Sequence, residues 1–241
     1  MLASTAPIKH PRGCRPLRFA SPYSSPGEHI IAVPIASKAR RVIREPRWRP
    51  SRQFTTSSLD PRCRPWLLDD GSLTIRLIEL SEGDFQVQRL YQGWQVPLPS
   101  ESRLLDVPPR QLALVREVGL LLGQRTVVFA RSVFPLSSLT GELSHLRYLR
   151  NKSLGAILFS HPGMHRSPFE LALLPGSSDY LPKQLQQATP AWGRRSRFRI
   201  GRKSLMVSEV FLEGFTPWPD ALPVHRSQRG KVDAAIVPPT Q

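Results

Sequence analysis

Six stretches of strand-like alternation, separated by short connections, constrain the fold of this chain more than any other feature. Apolar and polar residues alternate in them with the period of two that is typical of a half-buried β-strand. The turns Gly123-Gln124 and Gly201-Arg202 join neighbouring stretches as antiparallel hairpins. The sequence therefore predicts one antiparallel sheet, with strands at Phe85 to Leu90, Leu112 to Leu122, Arg125 to Phe134, Phe169 to Leu174, Arg195 to Ile200 and Ser204 to Leu212.

Helical patterns occupy the segments between these strands. An apolar helical stretch from Leu73 to Leu80 follows Ser72, which is a suitable N-cap residue. A second helical region, over 136–148 and then 154–159, separates the third and fourth predicted strands. We therefore expect an α+β fold with a single antiparallel sheet of about six strands and helices on one side. The sequence contains neither a dinucleotide-binding glycine motif nor a P-loop motif.

The two ends of the chain differ from this core in composition. Residues 1–65 hold 13 basic and 3 acidic side chains and 10 of the 25 prolines, without a sustained period. The end of the chain, over 216–241, is also rich in proline, which removes backbone hydrogen-bond donors. We therefore predict a disordered basic extension over 1–65, a folded domain over 66–215 and a disordered tail over 216–241.

Charge and composition exclude several classes of function. The net charge of +16 lies mostly in residues 1–65, where neither interleaved aromatic residues nor a recognition helix indicates nucleic-acid binding. A targeting peptide, a basic nucleic-acid-binding arm and an unstructured extension are the alternatives for that segment. The chain has 2 cysteines and no apolar run of the ~18 residues that a membrane span needs. We expect a cytoplasmic protein with no nucleic-acid partner and no membrane insertion.

The hairpin around Gly123-Gln124 carries two arginines on an apolar surface. When cross-strand partners are counted outward from a two-residue turn, Arg116 lies directly opposite Arg131. Facing cations repel each other, and a buried charge without a partner costs roughly several kcal/mol. One interpretation is a buried arginine–carboxylate pair or a register shifted by one residue. The other is a site where the arginines bind a small carboxylated or phosphorylated ligand.

The second hairpin places a carboxylate on an apolar strand face. Glu209 shares its face with Leu205, Val207 and Phe211. A two-residue turn at Gly201-Arg202 pairs Glu209 with Arg194. Glu209 is therefore either half of a structural salt bridge or an acid, base or hydroxyl-binding group of a site.

Histidine spacing does not predict a metal site. His145, His161 and His165 lie close together in the sequence, but a proline and a glycine separate the last two. These residues break the helix that would place both imidazoles on one face. A polar turn is the better interpretation.

Four groups of residues in the predicted domain form an ordered set. They are 114–118, Arg131-Ser-Val-Phe-Pro135 with 138–141, Lys152-Ser-Leu-Gly155, and Trp192-Gly-Arg-Arg-Ser196 followed by Glu209-Val-Phe-Leu212. Taken in order, these groups resemble the bacterial chorismate pyruvate-lyase family, and their order and spacing match over about residues 66–215. The resemblance implies an internal ligand cavity under helical flaps.

The resemblance implies an enzyme that converts chorismate to 4-hydroxybenzoate and pyruvate without a metal or organic cofactor, as the first committed step of ubiquinone biosynthesis. By position, the family's ligand-binding residues fall on Arg116, Leu154 and Glu209, and an apolar flap residue, usually Met, falls on Leu73. Arg131 is then the expected second cation for the substrate. The backbone amide of Leu154 is expected to donate to an anion, and its side chain to cover the ring.

The rival interpretation is a non-catalytic sensor that binds an aromatic acid on the same architecture. Such sensors usually carry a fused DNA-binding helical domain. Residues 1–65 are too rich in proline to supply one.

Overall fold

A sheet of nine strands organises the residues that the computed structural model describes, which are 43–55, 58–219, 222 and 231–232. Three strands are short, namely β1 (Arg49–Pro50), β5 (Met164–Arg166) and β9 (Lys231–Val232). The six long strands match the predicted ones. They are β2 (Phe85–Gln95), β3 (Ala113–Leu122), β4 (Arg125–Pro135), β6 (Glu170–Leu174), β7 (Ala191–Ile200) and β8 (Lys203–Phe211).

The sheet is open and almost wholly antiparallel. Its main order is β1-β6-β7-β8-β4-β3-β2, and β5 pairs with β7 beside this path. The single parallel pair among the described strands joins β5 to β9. This arrangement confirms the predicted α+β class.

Four α-helices accompany the sheet in the described part of the chain: α1 (Arg64–Leu68), α2 (Leu73–Leu80), α3 (Pro99–Leu105) and α4 (Leu154–Ser160). A 3-10 helix over Gly141–Tyr148 precedes α4, so both predicted helical regions are confirmed. Shorter 3-10 turns cover Ser51–Gln53, Leu136–Ser138 and Lys183–Leu185. None of the described helices has the length and apolar character that crossing a membrane requires.

Alternation along the central strands divides the side chains between two faces of the sheet. The helical face carries Arg116, Val118, Ala130 and Glu209, and α1, α2 and α4 pack on this side. The opposite face carries residues such as Arg131, and α3 packs there through Leu105, Val115 and Met206. Helix α3 is therefore the exception to the expected one-sided arrangement.

The sheet includes residues that precede the predicted domain start at residue 66. Strand β1 pairs with β6, with Arg49 opposite Leu171. Leu59 is 3% exposed and belongs to the same core cluster as α1 and α2. The ring of Trp48 meets Tyr180 edge-on, with a centroid distance of 6.0 Å. The predicted boundary thus lies too late, because single buried side chains in a proline-rich segment leave no periodic pattern.

The core also continues past residue 215, where the sequence predicts a disordered tail. The ring of Trp218 lies 5.0 Å from Phe211 and 4.6 Å from Phe215 between centroids. Strand β9 pairs with β5 further along. The prediction for residues 1–42 and for most of the tail falls outside the described residues.

Deleting residues 1–60 should lower the thermal midpoint of the protein by about 6 °C or more. The deletion removes β1, Trp48 and Leu59, and burial of two such side chains is worth roughly 3 to 6 kcal/mol. A domain of this size loses about 2 to 4 °C per kcal/mol. Calorimetry on the full chain and on chains lacking 1–42 or 1–60 measures this. Equal midpoints for the two truncations would contradict the assignment of residues 43–60 to the fold.

Candidate functional site

A narrow cavity lies between the helical face of the sheet and helices α2 and α4. Its volume is about 40 Å³. A single water needs at least roughly 10 to 15 Å³ by a comparable measure, so the space corresponds to a few waters. The structure therefore does not show the ligand-sized internal cavity that the family resemblance implies. The strands contribute the side chains of Val87, Arg116, Val118, Leu120, Ala130, Ser132, Arg166, Phe198, Val207 and Glu209.

Four of the five site residues predicted from the sequence line this cavity, and Arg131 is the exception. Leu73 comes from α2, Arg116 from β3, Leu154 from α4 and Glu209 from β8. Leu73 and Leu154 are buried above the sheet, at 2% and 6% exposure. Helix α2 and helix α4 therefore close the cavity from above while the strands supply its charged groups.

Arg116 is a buried cation that pairs with no carboxylate among the described residues. Arg116 is only 2% exposed. Nη2 donates to the carbonyl oxygens of Arg150 at 3.0 Å and Lys152 at 2.9 Å, just before α4. Nε is buried and has no hydrogen-bond partner in that part of the chain. Burial, with a smaller contribution from Arg89, lowers the pKa of Arg116. An anionic ligand would relieve this cost.

The prediction that Arg131 lies opposite Arg116 is wrong. A β-bulge after Leu120 shifts the register by one residue, so Arg116 pairs with Ser132 and Glu117 pairs with Arg131. A shift of one residue moves a side chain to the other face of the sheet. The predicted register holds only next to the turn.

Arg131 instead forms a buried ion-pair cluster on the opposite face. Its Nε lies 2.8 Å from Oε1 of Glu101, its Nη2 lies 3.1 Å from Oε2, and its Nη1 lies 2.6 Å from Glu117. Although burial by itself lowers the pKa of Arg131, these carboxylates raise it above its ordinary value. The structural alternative, a buried arginine–carboxylate pair, therefore describes Arg131.

The predicted pairing of Glu209 with Arg194 is confirmed. The two residues face each other in register, and Nε of Arg194 lies 2.6 Å from Oε2 of Glu209. Arg194 also donates to the carbonyl oxygen of Asp69 at 2.9 Å. Within the described residues, Oε1 of Glu209 accepts no hydrogen bond, and the side chain keeps 14% exposure. Glu209 thus combines a salt bridge with an unpartnered oxygen in the cavity lining.

Ser72 and Arg166 are among the polar residues of the cavity lining to which the sequence assigned no site role. Ser72 occupies the predicted N-cap position of α2, but its side chain makes no capping hydrogen bond. Its Oγ is buried and unpartnered in the described structure. Arg166 ends the three-residue strand β5, which is too short to show a period. No local pattern distinguishes either residue.

Arg166 is a second buried cation without an ion pair in the described structure. It is 3% exposed and lies over the ring of Phe169, at 4.0 Å from guanidinium carbon to centroid. Nε donates to Oγ of Ser196 at 2.8 Å, and Nη1 donates to the carbonyl oxygen of Gly71 at 3.2 Å. Burial, followed by the nearby charge of Arg194, lowers the pKa of Arg166. Its hydrogen-bond partners are all neutral.

The described residues contain no cluster of three or more histidine, cysteine or acidic side chains placed to hold a metal ion. His161 lies 3.5 Å from Glu142, through Nε2 and Oε2. Its Nδ1 accepts a hydrogen bond from the backbone N–H of Gly163 at 3.2 Å. The imidazole therefore closes a local turn at the end of α4.

Comparisons with known proteins show similarity to one family over most of the chain. A family model described as chorismate lyase matches residues 42–218. A probable chorismate pyruvate-lyase of Pseudomonas aeruginosa is 44% identical over 156 residues, which is 65% of this chain and 86% of that protein. Probable chorismate pyruvate-lyase 2 of Pseudomonas fluorescens is 40% identical over 171 residues, which is 69% of this chain and 89% of that protein.

Solved structures give a more distant likeness. The effector domain of PhnF from Mycobacterium smegmatis aligns with a TM-score of 0.40 and 14% identity, over 56% of this chain and 88% of that domain. A likeness at this level carries no argument about function.

Proposed function

Because this chain belongs to the chorismate lyase family and is a lyase that acts on chorismate, we propose that it converts chorismate to 4-hydroxybenzoate and pyruvate without a metal or organic cofactor. We also propose that this is the first committed step of ubiquinone synthesis in a bacterial cytoplasm, and that the enzyme is a monomer. The observation that best supports the reaction is Arg116, a buried guanidinium without a carboxylate partner in the described structure, in the same cavity as Glu209.

The proposed reaction is an elimination that makes the ring aromatic. The ether bond between the ring and the enolpyruvyl oxygen breaks, and its electron pair leaves with the oxygen. Loss of the hydrogen at the hydroxyl-bearing ring carbon supplies the pair that completes the aromatic ring, and the enolpyruvate takes up a proton at its methylene carbon. A site for this step must fix a dianion in one conformation and stabilise the negative charge that develops on the leaving group.

The four cavity residues predicted from the sequence have roles that fit this chemistry. We assign the ring carboxylate to Arg116, whose guanidinium can bind a carboxylate with two parallel hydrogen bonds. Oε1 of Glu209 can accept a hydrogen bond from the ring hydroxyl. Leu73 and Leu154 can cover the ring, although leucine at position 73 lacks the flexible thioether of the methionine usual in the family. Donation by the Leu154 amide stays a prediction.

Arg131 has no part in this proposal, because Glu101 and Glu117 already neutralise it on the opposite face. Chorismate also needs more space than the cavity of about 40 Å³ offers, since ordinary small-molecule sites measure roughly 300 Å³ or more. We propose that α2 and α4 move apart to admit it, as covering segments do in many enzymes.

The decisive experiment incubates the purified full chain with chorismate and follows 4-hydroxybenzoate and pyruvate together. We expect the two products to appear in equal amounts. Binding of 4-hydroxybenzoate without consumption of chorismate would favour the sensor interpretation and overturn the proposed reaction.

Two further arms of this assay address the cofactor and the basic flank. Turnover should be unchanged after treatment with EDTA, and a loss that a divalent ion restores would contradict the cofactor-free mechanism. Binding to DNA or RNA that falls steeply with salt and disappears on deletion of 1–42 would support the nucleic-acid alternative.

Glu209→Gln should lower kcat/KM for chorismate by about 10-fold to 100-fold. The change removes a charge-assisted hydrogen bond, worth about 1.5 to 3 kcal/mol, but keeps a hydrogen-bonding group at the position. The matched control is Glu170→Gln, which breaks the 2.7 Å pair with Arg195 away from the cavity. The control should lose stability to a similar extent and keep its turnover. Parent turnover in Glu209→Gln would contradict the assignment of Glu209 to the hydroxyl.

A further inference from the structure

The cavity holds more positive charge than the proposed roles of Arg116 and Glu209 use. The ionisable side chains in its lining are those of Arg116, Arg166 and Glu209. Arg194 neutralises Glu209 through the 2.6 Å ion pair. Arg116 and Arg166 form no ion pair with any residue in the described ranges, so two cations of the lining lack a carboxylate in direct contact, although Glu209, Asp69 and Asp70 lie near enough to Arg166 to act on its charge. A single bound carboxylate would neutralise one of them and leave the other.

Hydrogen bonding and packing do not supply the missing negative charge at Arg166. Its acceptors are the hydroxyl of Ser196 and the carbonyl oxygens of Asp70 and Gly71, which are all neutral. Nη2 donates no hydrogen bond to a described residue. The faces of aromatic rings attract a cation weakly compared with a carboxylate. The guanidinium carbon lies 5.7 Å, 4.0 Å and 5.0 Å from the ring centroids of Phe159, Phe169 and Phe198.

The order of the strands places Glu209 between the two unpaired cations. Arg116 lies on β3 and Arg166 on β5, and the strands between them are β4, β8 and β7. Glu209 belongs to β8, the middle one of these. A ligand that contacts all three side chains must therefore present a carboxylate, then a hydroxyl, then a second anionic group. In chorismate the hydroxyl-bearing carbon lies across the ring from the ring carboxylate and beside the carbon that carries the enolpyruvyl ether.

We propose that Arg166 binds the enolpyruvyl carboxylate of chorismate, while Arg116 binds the ring carboxylate. This inference rests on the proposed function and adds the residue that contacts the leaving group. The enolpyruvyl group is where negative charge grows as the ether bond breaks. A buried cation held there by Ser196 and the 70–71 backbone stabilises the transition state more than the bound substrate.

A purely structural role for Arg166 makes a different prediction. Its hydrogen bonds to the 70–71 carbonyls hold the segment that leads into α2 and Leu73. If holding that segment were its only task, replacing Arg166 would weaken the binding of every cavity ligand alike. A contact with the enolpyruvyl carboxylate affects chorismate alone, because 4-hydroxybenzoate lacks that group.

The test compares chorismate with 4-hydroxybenzoate in the full chain and in Arg166→Gln and Arg166→Lys. We expect Arg166→Gln to lower kcat/KM for chorismate by about 100-fold, as for loss of one positioned transition-state donor. The dissociation constant of 4-hydroxybenzoate should change by less than about threefold, and Arg166→Lys should recover part of the turnover because it retains the charge.

Two further variants serve as comparisons. Arg116→Ala should weaken the binding of both ligands. Arg195→Gln is the matched control, a buried arginine on the opposite face, and should keep parent turnover and product binding.

Three results would overturn the proposal. The first is an Arg166→Gln protein that turns chorismate over at the parent rate, and the second is an equal loss of chorismate turnover and 4-hydroxybenzoate binding in that variant. The third applies if Arg166→Gln fails to fold, and it is an Arg166→Lys protein with the parent value of kcat/KM. If the parent chain itself does not consume chorismate, the proposed function fails. The contact is then tested by calorimetry, where Arg166→Gln must weaken chorismate binding and spare 4-hydroxybenzoate.

Discussion

Arg116→Ala should lower the turnover of chorismate by about 10² to 10³-fold, the cost of losing one positioned transition-state donor. Arg116 is 2% exposed, and no carboxylate of the described chain neutralises it. Its unpartnered Nε and its place in the cavity lining support its proposed role as the group that binds the ring carboxylate. Steady-state assays of kcat and KM, together with the dissociation constant of 4-hydroxybenzoate, measure the effect.

Arg147→Ala is the matched control for this substitution. Arg147 also donates from Nη2 to a backbone carbonyl oxygen, that of Leu139 at 2.8 Å, but lies outside the cavity lining. The control should keep turnover near the parent rate. An Arg116→Ala protein that folds normally and turns chorismate over at the parent rate would overturn the assignment. If Arg116→Ala does not fold, Arg116→Lys takes its place, since lysine keeps the charge and loses the bidentate fork.

The double variant Arg116→Ala, Glu209→Gln should be little worse than the more impaired single variant. Both side chains line one cavity and in the proposed complex contact one ligand, so loss of either should already misplace the substrate. A double-mutant cycle on kcat/KM measures the coupling. Strictly additive effects would indicate that the two residues act independently.

Arg131→Met should lower the free energy of unfolding by about 3 to 5 kcal/mol, because removing one member of a buried ion pair leaves the other charge uncompensated. Glu101 has 0% exposure, and Arg131 holds both of its carboxylate oxygens. The remaining carboxylates would be left in the core between α3 and β4. Since domains have total stabilities of about 5 to 15 kcal/mol, the variant should lose a large part of its stability.

Denaturant unfolding of the parent and of two variants measures this loss. The control is Arg62→Met, which breaks an exposed pair with Asp60 whose side chains are 74% and 41% exposed. Exposed pairs contribute little to stability because solvent screens them, so the stability of the control should hardly change. A loss of less than about 1 kcal/mol for Arg131→Met would refute the view that its cluster holds the opposite face together.

The two hairpins differ in how well the sequence pattern predicts their cross-strand pairing. Strands β7 and β8 keep the register that the turn at Gly201 sets. Counting residues outward from that turn therefore pairs Arg194 with Glu209 correctly. For β3 and β4 a bulge after Leu120 shifts the register, and counting places Arg131 on the wrong face. A bulge depends on packing against other strands and leaves no sign in the local alternation.

The sequence by itself determined the elements whose patterns are local: the six long strands, α2 and the helical region that ends in α4, and through the family resemblance the cavity residues Leu73, Arg116, Leu154 and Glu209. These depend on periods that recur within one stretch of chain. Only the tertiary structure decided that Arg131 has its own carboxylates, that Trp48 and Leu59 belong to the core, and that Arg166 enters the cavity. Each of these depends on residues far apart in the sequence, where burial and charge pairing between distant elements set the energy and local period carries no information about it.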